Sequence, residues 1–318
     1  MSNIANPVVH CSNPFRRWKR ARESYQLYLI LLIPLAWVVI FCYVPMYGAQ
    51  IAFRDFSIKY GGILSSPWVG LKHFRNFFGS YMFDRVLKNT IKVSLYSLVV
   101  GFPIPIMLAL CLNTLRSQKY KKIVQTILYV PHFISTVVLV AMLLQMFNAR
   151  IGIYALAARL ITGSFPSDIF LNSASFPHLY VWSGIWQEMG WSSIIYIAAL
   201  SAVDAEQHEA AQIDGASRLQ RIIHVDLPGI LPTITIMLIL RAGGILSVGF
   251  EKVFLMQNSA NLVTAEVIST YVYKVGLSSG AGNYSYATAI GLFNAVVNMI
   301  ILLIVNTFAS KVSDTSLY

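Results

Sequence analysis

Charge is what this sequence has least of. Only 12% of its 318 residues are Asp, Glu, Lys or Arg, against about 25% in an average soluble domain. Hydrophobic residues make up 56%, and mean hydropathy is +0.62. Such a chain is not disordered, and a water-soluble globular enzyme fits it poorly. Acids are the scarcer sign, 13 against 24 basic residues, for a net +11. A duplex binder would carry that excess on one face of a soluble module, so nucleic acid is not an expected partner. Cysteine is also rare. Cys11, Cys42 and Cys111 are odd in number and lack CxxC spacing. A disulfide framework or zinc site is therefore not expected, and Cys42 and Cys111 read as buried apolar packing. No Gly-Lys pair occurs, so there is no GxxxxGK[ST] loop. No HExxH or metal-spaced histidine cluster occurs either. His73, His132 and His178 read as isolated polar groups. No catalytic or metal-ligating residue is assigned.

What the sequence does have is long apolar segments. A bilayer core about 30 Å thick needs roughly 20 apolar residues in a helix. Six segments qualify: 26–47, 89–115, 123–147, 179–203, 230–250 and 286–308. None alternates polar with apolar residues as a transmembrane β-barrel strand does, so the expectation is an all-α integral membrane protein with six transmembrane helices. The first segment reads as a retained anchor rather than a cleaved signal peptide. Basic residues cluster at Arg16, Arg17, Lys19, Arg20 and Arg22, and again at Arg116, Lys119, Lys121 and Lys122. Short basic loops stay cytoplasmic, which places both termini inside. The boundaries follow: a cytoplasmic segment 1–25, a six-helix membrane domain 26–310, and a cytoplasmic tail 311–318. Lipid is an implied contact along the whole domain.

One cytoplasmic loop reverses the charge. From 204 to 229 it holds Asp204, Glu206, Glu209, Asp214 and Asp226 against Arg218 and Arg221. Asp204 with Gln207 has capping-box spacing, and Gly215 can end the helix in a left-handed turn. Ser217 with Gln220 offers a second cap, for a short helix through His224. Ala210 and Ala211 form a small face that a partner could approach closely.

Glu209-Ala210-Ala211, then Gly215, then Val225 with Leu227-Pro228, resembles the EAA signature of permease subunits in binding-protein-dependent ABC importers. Val225 replaces the signature's usual Ile. The resemblance implies the maltose-importer-like permease core, with Glu209, Ala210, Ala211, Asp214, Gly215, Leu227 and Pro228 seated on a cytoplasmic ATPase. It also implies the partners: a second homologous permease, two ATPase subunits that bind ATP and magnesium, and an extracytoplasmic solute-binding protein. No cofactor is expected in this chain itself. Gly70-Leu71-Lys72-His73-Phe74 is similar to a segment of carbohydrate importer permeases. The stretch from Gly249-Phe250-Glu251 through Tyr271-Val272-Tyr273 to Gly291-Leu292-Phe293 resembles the oligo- and polysaccharide branch, with the alginate-importer permeases nearest. The binding protein would meet the external loops at 60–78, 151–178 and 251–284.

Polar groups within the spans are costly unless they face protein or water. Helical spacing puts Tyr180, Gln187 and Trp191 on one face of the fourth segment, with Glu188 at its edge. Arg241 lies deep in the fifth, and Asn294 and Asn298 form a stripe on the sixth. Aromatic faces beside amides and charges suit sugars, so these seven are candidates for a carbohydrate pathway. The alternative stays open: Asn and Gln also glue helices together, and Glu188 can pair with Arg241. Such a pair would equally suit an ion-coupled secondary transporter. A membrane-embedded glycan-processing enzyme ranks last, because the external acids are widely spaced. Met142 and Met146 read as core, Trp182 and Trp186 as packing or interface belt, and Pro103, Pro105 and Pro131 as helix bends.

Overall fold

The computed structural model describes residues 25–115, 117–278 and 282–312. The basic segment before Tyr25, Arg116 and the tail after 312 lie outside the described residues. Within the described residues the chain is helical, with one isolated bridge between Arg54 and Trp68. The helices used below are α1 (Tyr25–Val38), α2 (Tyr81–Gly101), α3 (Pro103–Asn113), α4 (Gln118–Tyr129), α5 (Thr136–Met146) and α6 (Phe176–Leu200). They continue with α7 (Ala205–Ile213), α8 (Leu231–Gly243), α9 (Phe250–Met256) and α10 (Tyr284–Val312).

Three helical stretches are long and apolar enough to cross a bilayer: Tyr25–Phe53, Tyr81–Asn113 and Tyr284–Ser310. Two bent pairs add two more if each crosses as one. Gln118–Phe133 meets Thr136–Met146 at 98°, and Arg218–Gly229 meets Leu231–Gly243 at 61°. Helix α6, with 25 residues, is about 37 Å long, but with Ser183, Gln187, Glu188, Ser192 and Ser193 along it, it is not among the stretches apolar enough to cross by composition alone.

Two of the expected spans are therefore not continuous helices. The third breaks after Pro131, where a 3-10 turn over Val130–Phe133 leads into extended backbone at Ile134. Ser135 then caps α5 by accepting from the Val138 amide. Pro131 lacks the amide that would continue α4, and Ser135 supplies a new start. The fifth bends by 61° at Ile230, and its helix ends at Gly243, so residues 244–249 are non-helical before α9. By contrast Pro103 leaves α2 and α3 joined in one span.

Three buried clusters hold these elements. Val93, Val140, Phe176, Val253, Met256 and Val267 join α2, α5, α6 and α9. Ile106, Ala109, Tyr196, Leu200 and Ile230 join α3, α6 and α8 beside the acidic loop. Phe77, Met82, Val86, Ile268 and Ile290 tie the short helices Lys72–Phe78 and Ile268–Tyr273 to α2 and α10. Helix α1 contributes to none of them and has no buried residue. Cys42 and Cys111 are exposed rather than packed inside, because both sit on outward faces that lipid or a partner would cover. Met142 and Met146 likewise line an open apolar cavity, beside Trp182 and Trp186, rather than a filled core.

Helix α6 comes close to α4 at Gly190. A Cβ there would lie 2.0 Å from the Leu128 carbonyl oxygen of α4. Gly190→Val should therefore cost about 1–3 kcal/mol through overpacking, read as a lower unfolding temperature in detergent. Gly291→Ala, with open space around its Cβ position, should be neutral or stabilising; equal losses in both variants would refute the close packing.

Candidate functional site

The breaks matter because backbone amides and carbonyls inside a membrane need partners within the protein. At the third-span break, Gln187 Nε2 donates to the Ile134 carbonyl at 2.7 Å. One residue on, Glu188 accepts from His132 Nδ1 at 3.0 Å. One turn further, Trp191 stacks on the His132 ring at 4.3 Å and 2°. Three side chains of α6 thus fasten the elbow.

The fifth-span break is fastened in the same way. The Leu246 amide donates to Asn298 Oδ1 at 3.0 Å, and Asn298 Nδ2 donates to Ser247 Oγ at 3.0 Å. The Gly249 amide donates to the Tyr180 hydroxyl at 3.2 Å. Asn294, one turn from Asn298, has a buried Oδ1 without a hydrogen-bond partner.

Between the two fastened breaks lies a cavity of about 250 Å³, lined among others by Ser97, Gly101, Gly184, Ser192, Tyr180, Gln187, Glu188, Arg241 and Lys252. A second, about 230 Å³, lies across Tyr180 and Gly249 and shares Ser97 and Arg241 with the first. Of the seven expected pathway residues, the structure gathers Tyr180, Gln187, Glu188 and Arg241 around the first cavity. Trp191, Asn294 and Asn298 do not line it.

Two cations dominate the walls. Arg241 occupies the last turn of α8, where the helix dipole favours positive charge. It is not mid-helix, as a continuous fifth span would have it. The alternative of a Glu188–Arg241 pair is not formed: Glu188 pairs with His132, and Arg241 makes no salt bridge among the described residues. Lys252, from α9, reaches in from outside the spans. Its Nζ donates to the Tyr180 carbonyl at 3.0 Å and sits 4.9 Å from the Tyr180 ring centre. Gly184 makes room, since a Cβ there would lie 3.2 Å from Nζ. Burial pushes the Lys252 ammonium down to about 8, against the pull of Glu188.

On the acidic loop, Asp204 caps α7 by accepting from the Glu206 amide at 3.0 Å. Gly215 is left-handed at φ 77°, and the Ala216 amide closes the turn on the Ala211 carbonyl at 2.9 Å. Ser217 and Gln220 form a reciprocal capping box. The short helix it starts passes into a π-turn over Ile222–Asp226 instead of ending at His224. Glu209, Ala210, Asp214 and Pro228 are exposed, Ala211 is half-buried, and Leu227 packs into the cluster around Tyr196 and Ile230. Ile213, which the motif does not flag, is 86% exposed. It is an apolar tip on an otherwise polar helix.

Spans broken at mid-course around a cationic cavity, with an exposed helix–glycine–helix element at one end, define a transporter subunit rather than an anchor. Residues 101–314 match the family of binding-protein-dependent transport system inner membrane components. The chain belongs to that family of ABC importer permeases. It is 43% identical over 313 residues to protein LplB of Bacillus subtilis, covering 98% of this chain and 97% of the relative. It is 41% identical to the polygalacturonan/rhamnogalacturonan transport system permease protein YteP of Bacillus subtilis, over 96% of this chain and 95% of that one. Among solved structures, a chain of a bacterial ABC transporter involved in import of the acidic polysaccharide alginate superposes with a TM-score of 0.85 at 39% identity. That match covers 94% of this chain and 99% of the other.

Sequence reasoning missed His132, Lys252, His208 and Asp226. His132 and Lys252 act from breaks that hydropathy does not show. A histidine directly after Pro131, at the expected bend, was the available signal for the first.

Fastening and cavity roles separate by stability. Gln187→Leu leaves a part-buried carbonyl unpaired and should cost about 1 kcal/mol. Arg241 is exposed and makes no salt bridge among the described residues, so Arg241→Leu should shift stability by less than about 0.5 kcal/mol. Thermal unfolding of the detergent-solubilised chain measures both, and the reverse order would contradict the assignment.

Proposed function

We propose that this chain is the permease subunit of an ABC importer for acidic oligo- or polysaccharides in the cytoplasmic membrane. It works beside a second, homologous permease. Two cytoplasmic ATPase subunits hold ATP and magnesium, and an extracytoplasmic binding protein delivers the glycan to the external loops. The exposed face around Glu209–Gly215 meets the ATPase, and its displacement switches the spans between inward- and outward-facing states.

The observation that carries the substrate class is the pair of cations, Arg241 and Lys252, on one cavity whose sole lining carboxylate, Glu188, is engaged by His132. A net positive lining of this kind favours a uronate over a neutral sugar, and Tyr180 offers a ring to the sugar's C–H groups. Two relatives support the reading: the polygalacturonan/rhamnogalacturonan permease and the alginate importer, which has been solved with an alginate pentasaccharide-bound periplasmic protein.

Arg241→Ala should lower uptake of a uronate oligosaccharide about 10- to 100-fold, the scale of a lost charged hydrogen bond, with a smaller effect on a neutral one. Equal loss for both sugars would sink the acidic-substrate reading. Lys252 sets a pH dependence. Its ammonium is charged below about 8, so its share of uronate binding is present at lower pH and lost as pH rises through that value. Lys252→Arg, which keeps its charge, should flatten the alkaline fall; an unchanged profile would show that Lys252 does not bind the carboxylate.

A further inference from the structure

The element that meets the ATPase must pull on something. Helix α7 has no buried residue, so apolar packing does not fasten it to the membrane core. Among the described residues, the polar bond that leaves α7 for the core runs from His208. Its Nε2 lies 3.3 Å from Asp226 Oδ1, and Asn113 Nδ2 donates to the same oxygen at 3.3 Å. Asp226 is only 3% exposed, at the end of the π-turn. The Leu227 amide there bonds to the Ile222 carbonyl, and π-turns of this kind concentrate at functional positions. Three elements thus converge on one buried carboxylate: α7 through His208, the last residue of α3 through Asn113, and the chain that leads into α8 through Asp226 itself.

Both helices that leave this joint end at the cavity. Helix α3 runs back from Asn113 to Pro103, next to Gly101. Helix α8 runs from Leu231 to Arg241, whose guanidinium lies against Gly101. Leu227, the residue after Asp226, is seated among Ile106, Ala109 and Tyr196. A displacement of α7 therefore has a polar path into two cavity walls and a packed foothold beside it.

We propose that His208, Asp226 and Asn113 form the linkage through which α7 moves α3 and α8 together, a set of positioning residues for transport. The proposal rests on the coupling reading of α7. A buried carboxylate shared by two donors suits the task because losing either donor leaves an under-satisfied charge, so the three elements move as a unit.

The test uses the complete importer, with its second permease, ATPase subunits and binding protein, in proteoliposomes, and reads uptake per ATP hydrolysed. Asp226→Asn and His208→Ala should each lower that ratio about tenfold, the scale of a typical coupling free energy, in complexes that still assemble and hydrolyse ATP. Asn113→Ala, which leaves the His208–Asp226 bond in place, should lower it less, and it decides the matter if Asp226→Asn does not assemble. The exchange His208→Asp with Asp226→His should recover at least half of the ratio, because the bond is restored with its partners reversed. An unchanged ratio in the single variants, or an exchange no better than they are, overturns the linkage. A parallel loss of hydrolysis and assembly overturns it too, by placing these residues at the ATPase contact. Gly215→Pro probes the coupling reading separately, since proline cannot adopt φ 77°. Wild-type uptake in that variant would remove the reading on which the linkage rests.

Discussion

Backbone that stops being helical inside a membrane must find its hydrogen bonds within the protein. This chain breaks two of its spans, after Pro131 and after Gly243, and the surrounding architecture follows from how those breaks are satisfied. Gln187 reaches the Ile134 carbonyl, Asn298 the Leu246 amide, and Tyr180 the Gly249 amide. The donors and acceptors come from α6 and α10, which are unbroken. The intact helices hold the ends of the broken ones in place.

That division explains why polar residues in the spans have two different fates. Those on α6 and α10 are largely occupied with backbone or, like Glu188, with a histidine at the elbow. The cations that face the cavity come instead from the ends of broken elements, Arg241 from the last turn of α8 and Lys252 from α9. An amide that fastens a break is a stability residue, and a cation left unpaired beside it is available to a ligand. Discontinuous helices whose ends point at a binding site are a recurrent solution in transporters, and here the C-terminal end of α8 carries its own guanidinium.

Much of this was legible in the sequence, for identifiable reasons. Five of the six expected spans follow from hydropathy, counting each bent pair as one. The helix–glycine–helix element follows from capping chemistry: Gly215 and the Ser217–Gln220 box act as their residue types predict, and Asp204 caps α7 through the Glu206 amide without the reciprocal Gln207 bond its spacing suggested. The pathway was legible only in part. Periodicity placed Tyr180, Gln187 and Trp191 on one face, but it assumed straight helices. A break after Gly243 moves Arg241 to a helix end, and a bend of 98° brings His132 onto Glu188 and Trp191. Residues 251–284 read as an external loop, yet Lys252 returns from it to the cavity. Long-range placement of this sort depends on where the backbone turns, and local spacing carries no record of it.

If the cavity between the two breaks is the path of an acidic glycan, the glycan should shield it during turnover. Ser97 lines both cavities beside Arg241, so a cysteine placed there, with Cys11, Cys42 and Cys111 replaced by serine, reports on their occupancy. In the assembled importer, a small thiol reagent should label Ser97→Cys more slowly during turnover with a uronate oligosaccharide than with a neutral one. Labelling at the same rate with both sugars, under conditions where the uronate is taken up, would contradict the claim.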